Sequence, residues 1–311
     1  AEFEVEPNFS LPSYQKKIKF EAIKYLAEDS DVEDALLRYQ EQHAIVKTID
    51  DGAKSGHFIL GDFQRLDDAG LPVLGDKMEK QYIRLGFGLI KEDAEKSLTG
   101  AREGDEVNVM VKQNEKDENY KVSIHKVEEQ ILPEIDDELA KTINDDVSTL
   151  DELKGVVKKQ LQSSLDKDHK ELIHNEIIKY FVNNSTIDAP DSMISNYLDH
   201  IKEDMEAKKQ PIEETEFEEK YHSHAEFNIK WYLLKDHIIK NEKLDVSDSE
   251  IEEKIKEYIS ASKQDEKKIN SFYLQSKNRQ RLYDDILNEK LFATLTNYAK
   301  VKVVEKSTNE L

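Results

Sequence analysis

The chain has 311 residues, of which 37% are hydrophobic and 36% charged, with a formal net charge of -22 and no cysteine. This length predicts two or three domains, and the lack of cysteine excludes disulfides, thiolate nucleophiles and cysteine-based metal sites. Both halves are acidic, which disfavours nucleic-acid binding, and no apolar run approaches the roughly 20 residues of a membrane helix.

The first 43 residues are interpreted as a linker strand and a helix that lead into a β domain. Apolar residues alternate over 3–11, which predicts an extended segment, and recur with helical spacing over 32–39. No secretory signal opens the sequence as given. The absence of cysteine and of a signal favours a cytoplasmic location.

Residues 44–130 are predicted to form a compact β domain. Nine of the ten glycines lie between Gly52 and Gly104, where turns and close backbone approaches are expected. Apolar residues alternate over 107–111 and again over 120–127, which predicts a hairpin with a short turn at Glu115–Asn119.

Residues 131–311 are predicted to be helical, because after Pro133 the apolar spacing changes to the 3.6-residue period of a helix. Pro190 is expected in the first turn of one helix, and Ser247 is expected to cap another. The last two helices are predicted over about 248–262 and 265–299.

The helical part lacks the sequence patterns of catalytic and cofactor sites. It has no glycine-rich phosphate loop, and the one paired histidine motif, His222 and His224, has a spacing that points the two rings to different sides of a helix. We therefore predict no catalytic residue, no metal and no cofactor in this chain.

One helical stripe is a candidate binding surface for polypeptides. It consists of Met193, Tyr197, Ile201 and Met205, which combine flexible thioethers with aromatic and branched side chains. Such a stripe suits a surface that accepts many sequences. The same spacing is more often that of a helix face that packs against its neighbour, and both interpretations stay open.

The order of these segments resembles that of the bacterial trigger factors over nearly the whole chain. The junction Glu-Glu-Gln-Ile-Leu-Pro-Glu-Ile-Asp-Asp-Glu-Leu-Ala at 128–140 resembles the point where their isomerase-like domain meets the helical body. The helix around Ile177, the segment 187–190 and the stretch 257–303 resemble the two arms. The resemblance implies an α+β protein, with a small FKBP-like antiparallel β domain followed by an elongated all-α chaperone domain with helical arms.

Trigger factors also carry an N-terminal ribosome-docking domain with a Gly-Phe-Arg-x-Gly-x-x-Pro-like loop, and nothing in this sequence resembles that loop. The expectation is a trigger factor without this domain. Ribosome binding is therefore expected only through the missing part, and not through these residues.

The isomerase-like domain departs from its family at the proline pocket. Aligning the glycines at 86–88 and 100–104 puts residues 91–95 at the Ile-Pro-Gly-Phe-Glu motif that forms part of the pocket wall. Gly88, Lys91 and Ala94 then mark a degenerate pocket. Isomerases of this kind act in an apolar, desolvated site, so we expect weak or absent activity from a charged wall.

The leading hypothesis is an ATP-independent chaperone that binds unfolded or nascent polypeptides, without nucleic-acid or membrane partners. One alternative is an active peptidyl-prolyl cis/trans isomerase whose helical domain recruits substrates. Another is a periplasmic SurA-like chaperone, which requires a signal peptide before Ala1.

Overall fold

The computed structural model describes residues 9–113, 116–211, 214–262 and 265–310. In chain order, the strands and helices are β1 Lys19–Leu26, α1 Asp29–Gln42, β2 Ile45–Thr48, β3 Phe58–Leu66, β4 Pro72–Arg84, α2 Asp93–Leu98, β5 Glu106–Gln113, β6 Lys116–Ile131, α3 Asp137–Ile143, α4 Leu150–Asn184, α5 Asp191–Ala207, α6 Glu214–Glu242, α7 Asp248–Ala261, α8 Glu266–Tyr273, α9 Ser276–Tyr298 and β7 Lys300–Ser307. The predicted α+β class is confirmed by this content.

Contacts divide the described chain into two units. The sheet unit comprises residues 28–161, and the helical unit comprises the described residues of 1–27 and 162–311. This division differs from the predicted boundaries after residues 43 and 130. The reason is that β1 pairs with β7, whereas α1 packs with α3 and the first turns of α4.

The sheet unit contains an antiparallel sheet in which β6 is central. Strand β3 pairs with one edge of β6, β5 and β2 pair with successive halves of the other edge, and β4 pairs with β3. The β5–β6 pairing confirms the predicted hairpin. The turn predicted at Glu115–Asn119 is wrong for residues 116–119, which continue β6 in register with β5. Residues 114 and 115 lie outside the described residues.

Helix α2 covers one face of this sheet. Its Ala94 and Leu98 are buried with Ile59 of β3 and Val122 of β6. The loop before β3 touches the loop after α2 so closely that a Cβ on residue 52 would lie 2.6 Å from a carbonyl oxygen. Since Gly52 also has φ +92°, only glycine fits this position without strain.

A second, smaller core in the sheet unit is helical. Val32 and Leu36 on one face of α1 are buried with Ala140 of α3 and with Leu153 and Val157 of α4. The predicted helix in the first 43 residues is therefore confirmed, and it covers apolar residues that follow the sheet in sequence.

The helical unit is built around α4, α6 and α9. Phe181, Leu234 and Leu291, one from each helix, are fully buried in one cluster, and Tyr14 and Ile18 from the segment before β1 complete it. Separate clusters join α5 to α6 and join α7, α8 and α9.

Two predictions about helix ends have different outcomes. The cap at Ser247 is confirmed, because its side chain accepts a hydrogen bond from the backbone N–H of Glu250. The single helix predicted over 265–299 is wrong, because α8 ends before Leu274 and α9 begins at Ser276. The Asn278 side chain donates to the carbonyl of Phe272 at 2.8 Å, which ends α8 with a hydrogen bond that a continuous helix would not make.

Candidate functional site

An apolar cavity of about 450 Å³ opens on the sheet unit. Its volume is in the range typical of small-molecule and peptide side-chain sites. The lining residues come from β3, β4, β5, β6 and the loop after β4, and they are Phe63, Met78, Gln81, Ile83, Arg84, Phe87, Gly88, Leu89, Ile90, Val111 and Tyr120. Most of these side chains are aliphatic or aromatic, so the cavity suits an apolar group better than a charged one.

The loop after β4 shapes the mouth of this cavity. Gly86 and Gly88 have φ of +82° and +61°, and the N–H of Gly86 donates to the carbonyl of Ile90 at 2.8 Å. The tight turn leaves Phe87 and Leu89 about half exposed. The Arg84 guanidinium lies 4.0 Å from the centre of the Phe87 ring, a distance suited to a cation–π contact. The mouth therefore has apolar side chains held in place by a cationic group.

Tyr120 supplies one of the few polar groups in the largely apolar lining. Its ring packs edge-on against Phe63, and its hydroxyl donates to Glu118 Oε2 at 2.7 Å. Burial, and then the hydrogen bond to Glu118, raise the pKa of Tyr120 to about 12. The phenol therefore stays protonated at neutral pH and acts as a hydrogen-bond donor, not as a base.

The charged segment that the sequence placed at this pocket does not line the 450 Å³ cavity. Gly88 lines it, but Lys91 and Ala94 line a neighbouring cavity of about 210 Å³, and Ala94 is 2% exposed in the core beneath α2. Ile90, which is 5% exposed, occupies the wall instead. The wall of the 450 Å³ cavity is therefore not formed by the charged residues 91–95, because the chain turns away from the cavity after Ile90.

The backbone conformation of Glu92 explains why the chain turns away from the cavity. Glu92 has φ 53° and ψ -112°, a conformation that glycine adopts readily and other residues do not. The chain therefore turns at Glu92, and residues 91–94 line the smaller cavity instead of the 450 Å³ cavity.

A second apolar concavity lies in the helical unit, between α7 and α8. It has a volume of about 710 Å³, and Tyr258, Ile269, Phe272 and Tyr273 contribute most of its apolar lining. We call it the α7–α8 groove. Ile269 is buried against α7 and α9, which turns Phe272 outward to 51% exposure, and Leu274 just beyond α8 is 82% exposed.

The sequence interpretation missed the α7–α8 groove. The signal was present in the run Phe272-Tyr273-Leu274, in which three large apolar residues follow one another and so cannot all face one core. The single helix predicted over 265–299 places this run in a helix interior. The break after Tyr273 is what leaves Leu274 in solvent.

The predicted stripe on α5 packs against α6. Met193, Tyr197, Ile201 and Met205 are partly buried around a cluster formed by Ile194, Leu198, Phe217, Ala225 and Ile229. The Tyr197 hydroxyl accepts a hydrogen bond from Asn228 of α6 at 3.0 Å. The four side chains therefore lie along a helix–helix contact, with part of each still exposed.

Two properties of the described residues complete the description of the surface. No group of three or more histidine, cysteine, aspartate or glutamate side chains among them is arranged to hold a metal ion. None of the helices in those ranges is both long and apolar enough to cross a membrane.

Comparisons with known proteins identify relatives of this chain. A family model for the C-terminus of the bacterial trigger factor protein matches residues 149–297. The trigger factor of Geobacillus kaustophilus (strain HTA426) is 27% identical over 85% of this chain, and that of Geobacillus thermodenitrificans (strain NG80-2) is 28% identical over 82%. The chain covers 66% and 64% of these two relatives, just under two thirds of their length.

Two further comparisons cover nearly the whole chain. The trigger factor of Clostridium tetani (strain Massachusetts / E88) is 28% identical over 96% of this chain and is covered over 74% of its own length. A solved structure from work on promiscuous substrate recognition in folding and assembly activities of the trigger factor chaperone aligns with a TM-score of 0.46 and 21% identity, covering 93% of this chain and 72% of that chain. The chain is therefore similar to the bacterial trigger factors over most of its length, and residues 149–297 match the model of their C-terminus.

Proposed function

We propose that this chain is an ATP-independent cytoplasmic chaperone that binds unfolded or nascent polypeptides through exposed apolar side chains. The observation that carries the proposal is the α7–α8 groove, which lies within the part of the chain that matches the trigger factor C-terminus. Phe272 in the groove and Leu274 just beyond α8 are 51% and 82% exposed, on a chain with a net charge of -22. Large exposed apolar side chains that cluster on a highly charged protein are typical of a binding surface.

The chemistry of the groove suits weak binding to many sequences. Tyr258 and Tyr273 stack with ring centres 6.1 Å apart, and Phe272 meets Tyr273 edge-on at 5.1 Å, so the groove presents both ring faces and ring edges. Lys268 lies at its margin and keeps that side hydrated. Such a surface accepts scattered apolar groups of an unfolded chain without requiring one particular shape.

The test is aggregation of an unfolded client without nucleotide. The whole chain at stoichiometric amounts is expected to suppress light scattering, and Phe272→Ser with Leu274→Ser is expected to weaken client affinity by about tenfold, since each removes part of an apolar contact. Tyr232→Ser is the matched control, because Tyr232 is 61% exposed on α6 outside the groove.

Both substituted side chains are exposed, so the double variant is expected to keep the wild-type melting temperature. Equal client affinity of the groove variant and the Tyr232 control, at the same melting temperature, would reject the groove as the binding surface. Failure of the wild-type chain with several unrelated clients would reject the chaperone proposal itself.

A second function, prolyl isomerisation, is supported by the 450 Å³ cavity. Its apolar lining is the kind of environment that removes water from an imide and lowers the roughly 18–20 kcal/mol barrier to rotation about the bond before proline. The Tyr120 hydroxyl and the Gln81 amide supply hydrogen-bonding groups for a peptide backbone at its wall. We therefore infer that a proline side chain is a candidate occupant of this cavity.

A protease-coupled assay with a proline peptide tests this second function. Met78→Lys is expected to reduce any acceleration by about tenfold, because it places a charge in the cavity lining. Met110→Lys is the matched control, since Met110 is equally exposed but lines the smaller cavity. An acceleration insensitive to Met78→Lys would place catalysis elsewhere, and no acceleration would reject the isomerase function.

The stripe Met193, Tyr197, Ile201 and Met205 remains a proposed secondary contact for clients. The partial exposure of its side chains supports such a contact, and their packing against α6 limits it. Binding through the stripe would involve only the outer edges of these side chains.

A further inference from the structure

The helical unit contains a two-stranded parallel sheet, in which β1 pairs with β7 over eight residues. The N–H of Lys300 donates to the carbonyl of Ile18, and Lys19 lies opposite Lys300. In a parallel ladder, alternate residues of a strand bond to the same neighbour. Residues 300, 302, 304 and 306 therefore bond to β1, and the backbone groups of 301, 303 and 305 point away from it.

The outer edge of β1 is already occupied. Its outward carbonyls at Ile23 and Tyr25 accept hydrogen bonds from His169 Nδ1 at 2.8 Å and Gln162 Nε2 at 3.3 Å, both on α4. The N–H of Ala27 donates to Gln162 Oε1 at 3.0 Å. Further strands can therefore be added to this sheet only at β7.

The outer edge of β7 has no partner within the described part of the chain. The two-stranded sheet ends there, and among those residues no hydrogen bond involves the backbone groups of Val301, Val303 or Glu305 that point away from β1. Val303 is 48% exposed. An unpaired strand edge is a template for a further strand, since its N–H and C=O groups are spaced for a ladder.

The sheet and the turn just before β1 carry a local excess of positive charge. Lys16, Lys17, Lys19 and Lys300 are exposed, and none of them forms an ion pair within the described residues. Lys19 and Lys300 are directly opposite each other, an arrangement of like charges that destabilises a strand pair unless an anion lies nearby. Lys302 pairs with Glu21 at 2.6 Å.

We propose that the free edge of β7 binds an extended acidic polypeptide segment, which adds to the sheet as a third strand. Main-chain hydrogen bonds to residues 301, 303 and 305 would hold it, and its carboxylates would approach the lysines at 19, 300 and 302. The pattern that fits best alternates acidic and apolar residues, because side chains of adjacent strands align on each face.

Two other occupants fit less well. A nucleic acid would satisfy the lysines but cannot continue a β ladder, so it would leave the strand edge unused. A second copy of the same edge would bring Lys300 and Lys302 of two chains together, and such like charges on an edge strand oppose pairing. This inference does not rest on the chaperone proposal, since any partner with an acidic extended segment would bind in the same way.

The test uses the whole chain and a fluorescent eight-residue peptide that alternates glutamate and valine, followed by anisotropy. Val303→Pro removes an outward N–H without removing a bond to β1, and it is expected to weaken binding by about tenfold. Val303→Ala keeps the N–H and is the matched control, with an expected change below about threefold. Lys19→Glu with Lys300→Glu is expected to abolish binding.

Changes in the peptide test the same contact without altering the protein. A peptide with N-methyl groups on alternate residues of one edge is expected to lose binding, as is a peptide with lysine in place of glutamate. Equal binding of the N-methylated and parent peptides would overturn the strand-addition proposal. Equal affinity for an RNA oligonucleotide of the same charge, with the same response to the lysine variants, would also overturn it.

Discussion

Tyr14→Phe is expected to destabilise the helical unit, because Tyr14 ties the segment before β1 to the ends of two helices. Its side chain is 6% exposed and packs against Phe181 with ring centres 5.3 Å apart. The hydroxyl donates to Glu242 Oε1 and accepts from Asn241 Nδ2 at 2.8 Å. Phenylalanine keeps the ring contacts and removes both hydrogen bonds.

The expected loss follows from the bond that is broken. A hydrogen bond to a charged group contributes about 1.5–3 kcal/mol, so the free energy of unfolding should fall by roughly 2 kcal/mol. For a unit of this size, that corresponds to a fall of about 4–8 °C in melting temperature. Tyr298→Phe is the matched control, since Tyr298 donates to the other oxygen of Glu242 at 3.0 Å from a more exposed position, and its effect should be smaller.

The change of the unfolding free energy with pH in alkaline solution tests this role of Tyr14 independently. Burial, and then Glu242, raise the pKa of Tyr14 to about 12, above the ordinary value of 10.0. The protonated phenol is therefore favoured in the folded state, and its stabilisation is present below pH 10 and lost as the pH rises towards 12. The difference between wild type and Tyr14→Phe, measured by urea unfolding, should shrink over that interval. A difference below about 0.5 kcal/mol at pH 7 would refute this role for Tyr14.

Three further outcomes are expected. Glu92→Gly should raise the free energy of unfolding by about 1 kcal/mol in urea, because φ 53° and ψ -112° suit glycine, and a loss of stability would contradict the backbone assignment. Asp62→Asn should lower stability at pH 7 and flatten its decline in acid. The backbone N–H of Lys80, more than any other group, holds the pKa of Asp62 below its usual 3.8. The stabilisation is therefore present above that pH and lost as the pH falls below it. The same decline of stability in acid for wild type and variant would refute this role of Asp62. Tyr197→Glu with Met205→Glu should lower the melting temperature, since both side chains pack on α6; weaker client binding at an unchanged melting temperature would identify the stripe as a binding surface instead.

Local patterns were sufficient to predict most elements. The alternation in β5 and β6 and the 3.6-residue period after Pro133 depend only on which side chains face a core, and a single chain displays that directly. The cap at Ser247 likewise depends on residues three positions apart. The break at Leu274 was not predicted, because a helical period continues on both sides of it.

The pocket shows where local patterns are insufficient. Residues 91–95 are charged in the sequence, but whether they face the cavity depends on the turn after Ile90 and on the positive φ of Glu92. A turn placed one residue earlier or later along the chain changes which side chain lines the cavity. The walls contributed by Phe63, Met78 and Tyr120 come from three strands, and no local signal brings these together.

The sequence by itself determined the α+β class, the concentration of glycine in the sheet unit and the relationship to trigger factors, because composition, periodicity and motif order are properties of a linear chain. The tertiary structure alone decided that β1 pairs with β7, although Lys19 and Lys300 stand at opposite ends of the sequence. It also decided which apolar residues stay exposed, as Leu274 does. The physical reason is that the partner of a strand edge or of an apolar side chain can lie far away in the sequence, so the neighbouring residues do not indicate it and long-range packing determines it.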